Sequence, residues 1–393
     1  MRKYKIAFFA PNLSPAMPSL LRKIADSSDL KVYILCDYGI VPTKHKEFNN
    51  KVIKWDDDFL QGYSYELLKN YGSGVTNSGF FGLINPILIP KILLGDFDVV
   101  IVSGYARLSS WLIVIASWIK RTPILFIGES THTEEIEKSK SIRFIKSIAL
   151  GKIFFGMIDR FLSLGTDNKK FYELYGIPES HIFFSPYSVN DEALIARAEK
   201  LKTQKHALRE SMGIEYDDFV IIFCGKLLSR KDPLTLVKAY ENIHKDYPSS
   251  LIFVGEGELR GKIEDYANEK SLNKVKVVGF TDYEDIFNYY TIADLLVMPS
   301  IREPWATVVM EAMYFGLPVI VSDAVGSRLD WVKDNGFIFH VGDVGELSEE
   351  IKLLAGNRTM AKQFGGRSRE IISKFSETNR VKGIIDAIDS LEL

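Results

Sequence analysis

Short apolar runs recur along the chain, and between them lie stretches whose apolar residues have helical spacing. Residues 5–10 form one such run, ended by Pro11 and Asn12; residues 19–27 follow with helical spacing, and residues 31–36 form the next run. The rhythm returns at residues 98–103 and 123–128, with a helical stretch over 108–119 between them. It resumes at residues 219–224, 251–257, 276–280, 293–300 and 318–323. Alternating strands and helices build parallel sheets covered by helices on both faces, so the pattern predicts an α/β protein. With 393 residues there is room for two such domains, each with its own core. The reading divides the chain into a first Rossmann-like domain over residues 1–190, a second over 191–375, and a closing helix over 376–393. Residues 160–166 are expected as the last strand of the first domain, residues 181–190 as the approach to the linker, and residues 192–209 as a helical connection.

Composition narrows the functional classes. A hydrophobic content of 46% and a charged content of 25% describe a folded chain. The two cysteines, Cys36 and Cys224, sit in apolar runs of different halves and make neither a disulfide framework nor a metal site. Residues 1–11 lack a secretory pattern, and the apolar run from Trp111 to Trp118 is broken by Lys120, Arg121 and Pro123. A cytoplasmic protein that does not span a membrane is therefore expected. Residues 1–190 hold 23 Lys and Arg against 18 Asp and Glu, whereas the rest holds 26 against 33. That asymmetry suits a first half that meets something anionic, but it is far too weak for a nucleic-acid reader.

The chemistry concentrates around Glu303 and Glu311, eight positions apart, the first in a loop with Pro304 and the second in a helical run. Eight helical residues rise roughly 12 Å. Between the two carboxylates lie Trp305, Ala306, Thr307 and Val308, whose amides open a helix and form a seat for phosphate. Carboxylate, anion seat and carboxylate together would read a nucleotide diphosphate-sugar, with Glu303 on the sugar and Glu311 on the ribose. Ser300 and Glu303 also fit a capping box, and Glu311 also fits an exposed helical position. A second constellation follows the strand at 219–224: Gly225, Lys226, Arg230 and Lys231, where ammonium groups can neutralise a departing phosphate. Gly255 opens a tight turn after another strand.

The span from Glu303 to Glu311, followed by Ala312, Met313, Gly316, Pro318, Val319 and Ile320, resembles the E-x7-E signature of retaining glycosyltransferases of the GT-B type, the large family 4-like group that includes sucrose synthases. The resemblance is specific from about residue 220 to 330 and architectural before that. It implies two Rossmann-like domains with parallel sheets facing a central cleft, a donor site in the second domain, an acceptor site in the first, and a C-terminal helix that crosses back to the first. Lys226 and Lys231 match the family's basic pair, whose first member is more often Arg, and the backbone near Gly279 and Phe280 matches the segment that meets the nucleobase. Two departures stand out: Ala306 replaces a usual Gly, and the loop at residues 11–15 lacks the usual glycine pair.

The implied activity is retaining hexose transfer to a hydroxyl of a glycan or lipid-linked acceptor in cell-surface polysaccharide synthesis, with no cofactor and no metal, since neither motif supplies Asp-x-Asp or a His cluster. A non-catalytic sugar-nucleotide-binding subunit and a sugar-nucleotide epimerase of the same architecture are the alternatives. In the first domain, Glu129 and Ser130 follow a strand end, where ligands of open α/β sheets bind, and Glu129 is the candidate for a reaction-centre contact. His132 fits a surface position as well as a catalytic one. Residues 138–155 interleave Lys138, Lys140, Arg143, Lys146 and Lys152 with Ile and Phe. As one helix they would fit an anionic lipid surface at the inner face of the membrane or an ordinary core helix.

Overall fold

The computed structural model describes residues 3–13, 17–37, 43–45, 51–53, 60–74, 79–391 and 393. The chain forms two compact units, residues 1–190 with 375–393 and residues 191–374. Both are built around a parallel sheet, as the recurring apolar runs predict.

Unit 1 runs β1 (Lys5–Ala10), α1 (Met17–Ser27), β2 (Asp29–Ile34), β3 (Thr43–His45), β4 (Lys51–Ile53), β5 (Ser64–Leu67), α2 (Leu88–Leu94), β6 (Val99–Ser103), α3 (Leu108–Lys120), β7 (Ile124–Ile127), α4 (His132–Ile136), α5 (Lys140–Lys146), β8 (Arg160–Ser163), α6 (Thr166–Leu174) and β9 (Ile182–Phe184). Seven strands order as β5-β2-β1-β6-β7-β8-β9, and β3 pairs with β4 as a separate antiparallel ladder. Residues 182–184, expected in the approach to the linker, instead form the seventh strand, with Phe161 opposite Ile182. Phe126 of β7 packs against Phe154, Phe155, Phe161 and Tyr172 at centroid distances of 5.2–6.0 Å, which gives one face of the sheet an aromatic core.

The single amphipathic helix expected over residues 138–155 is broken. Beyond α5 the backbone widens into a π-helix over Ser147–Phe154 and tightens into a short 3₁₀ turn over Phe155–Met157. This changes the angular step per residue, so Phe154 and Phe155 turn into the core while Ile148 and Ile153 stay exposed. Lys146 also leaves the surface row. Its ammonium lies 2.5 Å from the buried Glu135 carboxylate and 5.3 Å from the centre of the Tyr105 ring.

Unit 2 runs α7 (Asp191–Lys202), α8 (Lys205–Ser211), β10 (Phe219–Cys224), α9 (Pro233–Glu241), β11 (Ser249–Val254), α10 (Arg260–Glu269), β12 (Val275–Gly279), α11 (Tyr283–Ile292), β13 (Leu295–Met298), α12 (Thr307–Tyr314), β14 (Val319–Ser322), α13 (Arg328–Trp331), β15 (Gly336–Phe339), α14 (Val344–Gly356) and α15 (Arg358–Ile372). Its strands order as β12-β11-β10-β13-β14-β15. The order reverses between β10 and β13, a topological switch point of the kind where open α/β sheets bind ligands. The entry into β13 is fastened by Asp294, whose carboxylate meets Lys205 at 2.8 Å, Arg209 at 2.6 Å and the Val220 amide at 3.0 Å.

The last helix, α16 (Glu377–Asp389), packs in unit 1. Gly383 lies so close to β9 that a Cβ there would come within 2.0 Å of the Phe184 carbonyl oxygen. Arg160 of β8 donates from Nε to the Ser390 hydroxyl and from a terminal nitrogen to the Ser390 carbonyl, each at 2.8 Å. Among the described residues no helix is long and apolar enough to cross a membrane.

Candidate functional site

The switch point of unit 2 gathers the loops that leave β10 and β13. After β10 the chain passes Gly225 and Lys226, makes a short 3₁₀ turn over Ser229–Lys231, and enters α9 through Asp232. Asp232 caps that helix, accepting from the Thr235 hydroxyl at 2.6 Å, with Pro233 in the first turn where its missing N–H costs nothing. After β13 the chain runs through Ser300 to Trp305 and enters α12. The Arg230 carbonyl joins the two loops, accepting from the Ile301 amide at 2.9 Å and the Arg302 amide at 3.4 Å.

That backbone clip brings Lys231 against Glu303. The Lys231 ammonium donates to Oε2 of Glu303, Arg230 stands 3.8 Å from the same oxygen, and Oε1 accepts from the Ala306 amide at 3.2 Å. The Glu303 backbone is held from the other side, its carbonyl accepting from Gly326 at 2.8 Å. Glu303 is nearly buried, so the carboxylate is aimed rather than free to sweep. The Ser300 hydroxyl donates to the Met298 sulfur, and Glu303 makes no capping-box contact with it.

Ala306 precedes α12 with φ of 51° and ψ of 63°, the left-handed region. A glycine would enter that conformation without steric cost, whereas a Cβ makes it unfavourable. Thr307 and Val308, partly exposed, follow as the first helical residues. Trp305 points the other way. It is buried, its ring centroid 6.1 Å from that of Trp331, and its carbonyl accepts from the Ser327 hydroxyl at 2.8 Å. Its side chain therefore supports the turn from below, and only its backbone belongs to the surface of the site.

Glu311 is buried within α12 and faces α11. Tyr290 donates to one carboxylate oxygen at 2.8 Å and Tyr283 to the other at 3.1 Å. Burial pushes the Glu311 carboxyl up to about 7, and the two hydroxyls pull it partly back. Cys224, at the end of β10, is buried beside Tyr290, and burial pushes its thiol up to about 12, which leaves it inert. Tyr283 and Tyr290 escaped the sequence reading, although they stand seven apart on one helix and so share a face.

Gly225, Gly255 and Gly279 end the adjacent strands β10, β11 and β12, and Phe280 follows directly. Gly255, at φ of 149°, sits where a Cβ would fall 1.9 Å from the Gly225 carbonyl oxygen, so no other residue fits. Lys226 is partly exposed beside this row, and its carbonyl accepts from Leu228 at 2.9 Å. Among the described residues no group of three or more His, Cys, Asp or Glu could hold a metal ion.

Unit 1 presents its own strand ends. Glu129 is exposed just beyond β7. The loop around it is set by Asn168, in the first turn of α6. Its amide donates to the Gly128 carbonyl at 2.8 Å and the Ser130 carbonyl at 2.7 Å, and its oxygen accepts from Leu164 at 3.0 Å. The Ser130 hydroxyl lies 3.1 Å from that of Tyr105, beyond β6. Behind them Glu135 is buried, which pushes its carboxyl up. Lys138, Lys146 and Tyr175 donate to it and more than offset this, so it stays below the usual carboxylate range. His132 opens α4.

Residues 204–371 match the family of glycosyl transferases, group 1. Over 131 residues the chain is 33% identical to an uncharacterized glycosyltransferase of Methanocaldococcus jannaschii, covering 33% of each. Over 120 residues it is 31% identical to the alpha-monoglucosyldiacylglycerol synthase of Acholeplasma laidlawii, covering 30% of each. Over 182 residues it is 27% identical to an Escherichia coli enzyme, UDP-Gal:alpha-D-GlcNAc-diphosphoundecaprenol alpha-1,3-galactosyltransferase, covering 44% of this chain and 46% of that one. These matches thus span 30–46% of the relatives' length. Among solved structures, a glycosyltransferase from Rickettsia africae superposes with a TM-score of 0.76 at 16% identity, covering 100% of this chain and 99% of that one. Anabaena HepE in complex with UDP and glucose superposes with a TM-score of 0.69 at 17% identity, covering 98% and 100%. The group 1 family model thus matches the stretch that holds Lys231 and Glu303, and the likeness over nearly the whole chain is one of fold, the GT-B pattern of two parallel-sheet units.

Proposed function

We propose that the chain is a retaining, metal-independent glycosyltransferase that moves a hexose from a nucleotide diphosphate-sugar to a hydroxyl of a glycan or lipid-linked acceptor in cell-surface polysaccharide synthesis. The observation that carries this reading is the pairing of Lys231 with Glu303 at the switch point, beside the start of α12. In the apo protein each neutralises the other. A diphosphate competes for the ammonium, which frees the Glu303 carboxylate to accept from sugar hydroxyls. Lys226, Lys231 and the first amides of α12 then meet the charge that grows on the leaving phosphate. The bond from the anomeric carbon to the phosphate oxygen breaks, and the bond to the acceptor oxygen forms on the same face. The acceptor proton passes to the departing phosphate, so retention needs no protein nucleophile.

The residue 191–375 domain supplies the donor site, with Glu311 toward the ribose and Gly279 and Phe280 toward the base. The residue 1–190 domain supplies the acceptor site, with Glu129 near the reaction centre. Two of the relatives carry a lipid in their names, as diacylglycerol or diphosphoundecaprenol, which favours a lipid-linked acceptor at the cytoplasmic face of the membrane. A donor-binding subunit without turnover is the second reading, favoured by the left-handed Ala306.

Transfer assays with a nucleotide-sugar panel test the proposal. Lys231→Ala should lower the transfer rate constant by about 10²–10³, the usual cost of losing one such electrostatic donor. Glu303→Gln should also lower transfer, yet bind the nucleoside diphosphate at least as well as wild type, because Lys231 is released to the phosphate. EDTA should change nothing; an enzyme silenced by chelation and restored by manganese overturns the metal-free route. A protein that leaves every donor intact, with and without acceptors, is the binding subunit instead.

A further inference from the structure

Residues 79–95, 107–121 and 138–158, which supply α2, α3, α5 and the π-helix, contain nine Lys and Arg and no Asp or Glu. They also expose large apolar side chains. On α3, Ile115, Trp118 and Ile119 repeat at i, i+3 and i+4 and so form a stripe, with Trp118 59% and Ile119 60% exposed. On α5, Phe144 is 67% and Ile145 65% exposed, and Ile148 continues the row into the π-helix. Helix α3 and the segment that follows α5 meet. Trp111 of α3 packs on Phe154 at 4.8 Å, and a shallow pocket of about 280 Å³ is lined by Trp118 and Arg121 on one side and by Gly156, Met157 and the acidic Asp159 on the other.

From this we infer that the outer face of the α3 and α5 layer is a docking surface for an anionic lipid bilayer. The inference deepens the membrane placement proposed above and rests on it. Apolar side chains this large, exposed in rows on two neighbouring elements whose own residues carry only positive charge, mark an interaction surface rather than scattered exposure. The sign selects the partner. Lys140, Arg143, Lys152 and Arg121 enter no ion pair among the described residues, whereas Lys146 and Lys138 are held by Glu135 and Lys91 by Glu66. Cations beside exposed Trp, Phe and Ile give the composition of an interfacial element, whose rings enter the headgroup region while the charges meet lipid phosphates. The surface therefore differs from the residue 138–155 helix read from sequence. It gains α3, and it loses Lys146 and Phe155 to the interior.

Cosedimentation of the full chain with vesicles of equal parts phosphatidylglycerol and phosphatidylcholine, and with phosphatidylcholine alone, tests this. Wild type should bind the anionic vesicles, with weaker binding at high salt. Arg143→Gln and Lys152→Gln should each weaken it about fivefold, and Ile145→Ser or Trp118→Ser about tenfold or more. Brominated acyl chains should quench wild-type fluorescence, and that quenching should be lost in Trp118→Phe. Binding of a nucleoside diphosphate in solution should be the same in all four serine and glutamine variants, which shows that they fold. Anionic-vesicle binding that survives these substitutions overturns this surface while sparing membrane placement. An absence of vesicle binding overturns both, and a wild-type dimer that Trp118→Ser dissociates makes the face a contact between copies of the chain.

Discussion

Ala306 holds a left-handed conformation that costs a residue with a side chain about 1–2 kcal/mol, at the point where the chain turns from the Glu303 loop into α12. Ala306→Gly should therefore raise stability by about 1 kcal/mol after the extra freedom of glycine in the unfolded chain is counted, read as a higher urea midpoint at constant slope. An unchanged midpoint would mean that the strain is absorbed elsewhere. Glu311 gives a prediction with a sign. Its carboxyl titrates at about 7 in the fold against an ordinary 4.5, so between those values the folded state holds more protons than the unfolded chain, and its stability falls as pH rises. Above pH 7 the full penalty, about 3 kcal/mol, is in place. The stability of Glu311→Gln relative to wild type should then rise from pH 5 to pH 8 in urea unfolding, and a flat difference would contradict the burial argument. The spacing of Glu303 and Glu311 was legible in the sequence, and so was the oddity of Ala306. The tyrosines on Glu311 were not, because they come from another helix, and no local pattern says which carboxylate a buried hydroxyl will find.

At the scale of elements, strands were the readable part. A run such as residues 219–224, buried at every position, announces itself by composition. Residues 182–184 did not, since an edge strand with partly exposed Ile182 and Phe183 and exposed Phe184 lacks that signature. The π-helix was equally hidden. Its extra residue per turn is chosen by the aromatic core that takes up Phe154 and Phe155, and not by helix propensity. The lead into β13 offers a test of how the Glu303 loop is held. Asp294 is kept below the usual carboxylate range: burial pushes it up, but Lys205 and Arg209 outweigh that. Its contribution is thus present above the unfolded value near 3.8 and is lost as pH falls through the lower folded one. Asp294→Ala should cost about 3 kcal/mol in urea unfolding, because it strands the Arg209 guanidinium in the protein. The loss should shrink toward pH 3, and a loss that stays the same at low pH would point to packing instead of charge.

Over the whole molecule, two parallel sheets followed from the alternation of elements, whereas the discontinuity of unit 1 followed from nothing local. If the donor site lies in unit 2, a nucleoside diphosphate at a hundred times its dissociation constant should stabilise the protein by about 2.7 kcal/mol. Hydrogen exchange should slow at residues 225–232 and 303–311 and stay unchanged in unit 1, and equal slowing in both units would move the site. Because unit 1 is built from residues 1–190 and 375–393, unit 2 is an insertion in its chain. That arrangement sets an order of events at the ribosome. Strand β9 and the base of β8 wait for α16, whose Gly383 and Ser390 contacts close over them, while all of unit 2 emerges first. Unit 2 can therefore fold cotranslationally as a contiguous piece. Unit 1 matures only when the chain beyond residue 375 arrives, and any truncation or ribosome stall before that point leaves unit 2 folded and unit 1 without its closing helix.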